Sequence, residues 1–87
     1  GMLAYGYDWE GETLHSLREN SLVCSRTELD TLIAFLQDVR TAAEEDAQDS
    51  EHWHLRDWME NWSPEQPDLI LFLTENRRES LREETTA

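Results

Sequence analysis

The sequence predicts an α+β fold: a small, mainly antiparallel three-stranded sheet in β-β-α-β order, one long helix packed across one face, and a short tryptophan-rich helical or irregular segment before the last strand. Three observations carry this. Large side chains alternate over Leu3, Tyr5, Tyr7 and Trp9. A half-apolar helical pattern follows a capping signal at Ser25. An unbroken apolar run, Leu69 to Leu73, has the length of a strand covered on both faces.

The first strand follows from its period of two, which places Leu3, Tyr5, Tyr7 and Trp9 on one side and Ala4, Gly6 and Asp8 on the other. Glu10, Gly11 and Glu12 supply a flexible connection, and the chain re-enters extended structure from about Thr13. The return strand ends in "SLVCS". Its alternation breaks, because Leu14 and Leu22 share one parity while Leu17 and Val23 share the other, so a bulge is expected around Arg18 to Ser21.

Ser25 with Glu28 three residues on forms the S-x-x-E capping box, which starts a helix at Arg26. Leu29, Leu32, Ile33, Phe35, Leu36, Val39, Ala42 and Ala43 fill about half of the helical wheel, and Asp30, Gln37, Asp38, Thr41, Glu44 and Glu45 the other half. The pattern fades after Ala47. Leu55, Trp58, Met59 and Trp62 then recur at i, i+3, i+4 and i+7, which predicts one apolar stripe on a short helical or 3₁₀ segment ended by Ser63, Pro64 and Pro67. Residues 1–75 read as a single domain. Residues 76–87 read as a polar C-terminal tail, nearly devoid of apolar side chains.

At 87 residues the chain has room for one core and no more. Such a core is thin, and one helix covers one face of a sheet only. The other face would be left open, which predicts a homodimer.

Composition narrows the function classes. Twenty acidic residues against seven basic ones give a net charge of -13, a field that repels nucleic acid and draws a basic protein surface. All the basic residues are arginines, which a genome rich in arginine codons would produce without functional meaning. With a single cysteine, Cys24, the chain can build neither an internal disulfide framework nor a multi-cysteine zinc cluster. No apolar run approaches the roughly 20 residues that span a bilayer, and no basic-then-apolar leader stands at the N-terminus, so a cytoplasmic location is expected.

The stretch "EHWHLRDWMENW", Glu51 to Trp62, concentrates the side chains with chemical potential. From an extended backbone His52 and His54 point the same way, and with Asp57, His15 or Cys24 they would supply zinc ligands. On a helix they lie about 200° apart and could not share an ion. Neither His-x-x-x-His nor Cys-x-x-Cys occurs, so the expectation is no metal and no cofactor. Cys24 just before a helix start could serve as a nucleophile, but "LVC" also reads as the buried end of a strand. No Ser-His-Asp motif, phosphate-binding glycine loop or dinucleotide fingerprint appears among three glycines. Trp53, Arg56, Trp58 and Trp62 are the candidates for binding a partner, since tryptophan and arginine are enriched at binding hot spots. Closure of the core by the tryptophans, with Arg56 and Asp57 bonded to nearby backbone or to each other, is the structural alternative.

"SLVCSRTELDTLIAFL", followed by "HWHLRDW", Trp62 and "PDLILF", resembles a loosely defined group of short bacterial proteins, some of them similar to predicted immunity proteins of toxin systems. The likeness covers roughly Leu22 to Phe72 and contains no catalytic signature. It implies a small α+β binding protein, and immunity proteins of this kind are often acidic because their nuclease toxins are basic.

The expectation is a non-enzymatic protein-protein interaction domain, in its sharpest form an immunity-type binder of a basic protein. The alternative is a small metal-dependent or cysteine hydrolase built on His52, His54, Asp57 and Cys24. A third reading is a DNA mimic whose helix carboxylates imitate phosphates.

Overall fold

The computed structural model describes residues 1–45 and 52–74. Its elements run β1 (Tyr5–Gly6), β2 (His15–Ser16), α1 (Arg26–Glu45), β3 (His52–His54), a 3₁₀ turn (Leu55–Trp58) and β4 (Ile70–Phe72). The chain is α+β, but the expected sheet of three strands is not formed among the described residues. Two separate antiparallel pairs stand in its place, β1 with β2 and β3 with β4.

The reason is local. The "HWH" segment, for which the sequence left extended and helical backbones open, is extended and supplies β4 with its own partner, pairing His52 with Phe72, Trp53 with Leu71 and His54 with Ile70. The ladder continues one step further, where the Leu55 amide donates to the Leu69 carbonyl at 2.8 Å.

The β1–β2 ribbon is shorter than its alternation predicts. Tyr5 faces Ser16 and Gly6 faces His15, and the Leu17 amide donates to the Ala4 carbonyl at 2.8 Å. At the tip the Asp8 carboxylate accepts the Glu10 amide at 3.1 Å, while the Gly11 amide donates to the Asp8 carbonyl at 3.2 Å. A Cβ on Gly11 would meet the Asp8 carboxylate, so a larger residue there would displace that side chain from its bond to the Glu10 amide. No strand forms over Arg18–Cys24, so the expected bulge has no ladder to interrupt. Val23 and Cys24 are exposed there, which corrects the reading of Cys24 as a buried strand end.

The helix begins where its capping box places it. The Ser25 amide donates to Glu28 Oε1 at 2.7 Å, and the Glu28 amide donates to Ser25 Oγ at 3.1 Å. The bond from the exposed Ser25 amide, and then that from its hydroxyl, holds the Glu28 carboxyl below its ordinary value. The fading of the pattern near Ala47 and the polar tail over 76–87 lie outside the described residues.

Burial is concentrated at one place. Phe35 at 0% exposure and Val39 at 2% are the buried apolar residues among those described, and both project from α1. Trp58 closes over them from the 3₁₀ turn, its ring edge-on to Phe35 at 5.0 Å between centroids and 70° between planes. The β4 strand is not covered on both faces as its apolar run suggests. Cross-strand partners share a face, so Trp53 and Leu71 lie on the half-buried side while Ile70 and Phe72 stay exposed on the other.

Candidate functional site

The short β3–β4 pair and the 3₁₀ turn after it position the side chains singled out in the sequence. His52 and His54 do share one face of a strand, their rings edge to face at 5.3 Å. His52 stacks on Phe72 at 5.2 Å and 22°. His54 turns its Nδ1 to Asp68 Oδ2 at 2.7 Å, in a setting where the two side chains are 24% and 17% exposed. A carboxylate only accepts hydrogen bonds, so Nδ1 is the nitrogen that donates.

Asp68 organises more than the histidine. Its Oδ1 accepts the Arg56 amide at 3.0 Å and the Leu69 amide at 2.9 Å, and Arg56 Nε stands 3.9 Å from Oδ2. One carboxylate thus ties the start of the 3₁₀ turn to the entry of β4. Sequence reasoning missed it and named Asp57, which is exposed on the turn and makes no ion pair among the described residues. The signal was available only through strand register: Asp68 and Ile70 share a parity, and Ile70 faces His54.

Trp53, Trp58 and Trp62 are half-buried, and the indole N–H of the last two is satisfied within the chain. Trp58 Nε1 donates to Asp38 Oδ2 at 2.7 Å and Trp62 Nε1 to the Pro67 carbonyl at 3.3 Å. The Arg56 guanidinium lies 5.5 Å from the centre of the Trp62 ring. Trp53 stands across the strand pair from Leu71. Arg56 therefore serves two neighbours, Asp68 through its amide and its guanidinium and Trp62 through its guanidinium, and no ion pair joins it to Asp57.

This arrangement orients an imidazole as a general base would be oriented, with Nδ1 held and Nε2 left over. Among the described residues no nucleophile is bonded to it. Cys24 is exposed and makes no hydrogen bond to His52 or His54, and no group of three or more metal-ligating side chains comes together among the described residues. No helix among the described residues is long and apolar enough to cross a membrane.

Ion pairs among the described residues are Arg18 with Glu19 at 3.7 Å, Arg56 with Asp68, and the histidine contacts of Asp8 and Asp68. Asp30, Glu44, Glu45, Asp57 and Glu60 pair with no cation among the described residues. Comparison with protein families, with characterised proteins and with solved structures finds no match.

Proposed function

We propose that this chain is a non-enzymatic, cytoplasmic binding protein that presents an acidic surface to a basic protein partner, in the manner of an immunity protein, and that it does so as a homodimer. The observation that carries the reading is the charge of -13, together with the few ion pairs among the described residues, which favour a field pointing outward. An outward field of one sign raises the encounter rate with an oppositely charged protein and repels nucleic acid. The exposed rims of Trp53, Trp58 and Trp62, with Arg56 beside them, give the partner an aromatic surface next to the charge.

The hydrolase reading has one observation in its favour, the His54–Asp68 pair, and lacks a nucleophile bonded to it.

Genome neighbourhood supplies the probe: a basic toxin domain encoded beside this gene, purified and mixed with the full chain in a stopped-flow experiment. The association rate is expected to fall steeply as salt rises from about 0.1 M to 1 M, where the Debye length shrinks from about 10 Å to 3 Å. An acidic partner, or a rate indifferent to salt, overturns the proposal.

A further inference from the structure

Helix α1 uses only part of its apolar arc within the chain. At about 100° per residue, Leu32, Phe35, Val39 and Ala42 form one stripe, all of them buried or half-buried, with half-buried Thr31 and Ala43 at its borders. Leu29, Ile33 and Leu36 form a second stripe, roughly 100° further round, and they remain 45%, 44% and 44% exposed. A spacing of i, i+4, i+7 is that of a helix docking face.

The ends of this stripe carry charge in an order that selects its occupant. Arg26 and Arg40 continue the same row, and they are the only basic residues of α1. Neither has an ion-pair partner among the described residues. Asp30 and Glu44 lie on one flank of the row. Each stands four residues after an arginine, but with the acid C-terminal to the base, which is the weaker orientation for a pair within one helix. No such pair forms.

We infer that a second copy of this chain docks on this stripe, with the two α1 helices antiparallel about a two-fold axis near Ile33. The inference rests on the proposed self-association and is independent of any basic partner. In this arrangement Leu29 meets the second copy's Leu36, Ile33 meets its own counterpart, and each flank faces its own copy. Helical side chains lean toward their own N-terminus, which brings Arg40 level with the second copy's Asp30 and Arg26 level with the second copy's Glu44. A parallel pair would instead set arginine level with arginine.

Self-association of a chain this acidic requires a seam free of carboxylates, and the row from Arg26 to Arg40 has none.

Light scattering coupled to gel filtration of the full chain, at tens of micromolar, is expected to give twice the 10.3 kDa chain mass. Ile33→Glu should return the monomer mass with the helical circular dichroism retained, since Ile33 lies outside the Phe35–Val39 core. Arg40→Asp alone should weaken the dimer at least tenfold, and adding Asp30→Arg in the same chain should recover most of that loss. Residues 30 and 40 are too far apart on one helix for the rescue to arise within a chain. A monomeric parent protein overturns both the dimer and this interface. A dimer unaffected by folded Ile33→Glu, or a double exchange that fails to rescue, overturns this interface and leaves self-association through another face.

Discussion

At the scale of single residues, the structure separates groups whose chemistry looked similar in the sequence. Asp57 and Asp68 are both aspartates near the histidines, yet only Asp68 accepts bonds from His54, Arg56 and Leu69. Removing it leaves the part-buried Leu69 amide without its acceptor and breaks the bonds to His54 and to the exposed Arg56 amide, together a loss of about 2 to 3 kcal/mol, whereas His54→Asn removes one bond and costs about 1 kcal/mol. Trp58→Ala opens a space against fully buried Phe35 and costs about 3 kcal/mol, the low end for a tryptophan because its rim is exposed. In thermal melts Trp58→Ala and Asp68→Ala should each lower the midpoint by roughly 10 to 20 °C, and His54→Asn by much less. A His54→Asn variant as damaged as Asp68→Ala would mean that the imidazole, not the carboxylate, organises the site. Packing of Trp58 was one of two readings its local spacing offered, while the i, i+3, i+4, i+7 stripe stops at Trp58, where the 3₁₀ turn ends and Met59 is extended. Asp68 was not legible, because its partner lies fourteen residues away and meets it only through the β3–β4 register.

At the scale of elements, the helix start was legible to the residue, since a capping box is a closed local circuit of two hydrogen bonds. The same circuit gives a pH dependence. Glu28 is held below its ordinary value of 4.5 by the Ser25 amide and then by the Ser25 hydroxyl. A depressed carboxyl stabilises the fold fully above that value, and the contribution disappears as pH falls through the lower, folded one. Helical circular dichroism should therefore drop on acidification below about pH 4.5, and Glu28→Gln should flatten that drop while lowering the signal little at pH 7. Glu65, lowered chiefly by the Ser63 hydroxyl, titrates in the same sense but lies outside the helix, so Glu65→Gln should leave the helical signal's profile unchanged. An acid profile identical in wild type and Glu28→Gln would remove the cap from the account. The strands were less legible. "HWH" satisfies a strand and a helix approach equally, and which of them forms is decided by β4, an element sixteen or more residues further on whose edge it fills.

At the scale of the whole molecule, charge and core act against each other, and one variable exposes both. Burial rests on Phe35, Val39 and the half-buried ring of residues about them, while -13 units of charge repel one another across a small volume. Salt weakens that repulsion over distances beyond about 10 Å at 0.1 M, but leaves the close contacts of Asp68 and Trp58 nearly unscreened. Raising sodium chloride from about 0.02 M to 0.5 M, where the Debye length falls from roughly 20 Å to 4 Å, should therefore raise the melting midpoint by several degrees. Association with a basic partner should respond with the opposite sign, because there the same field is attractive. A midpoint that falls with salt would mean that favourable ion pairs outweigh repulsion in the folded chain, which would run against the few such pairs among the described residues and remove the physical basis for an outward-directed field.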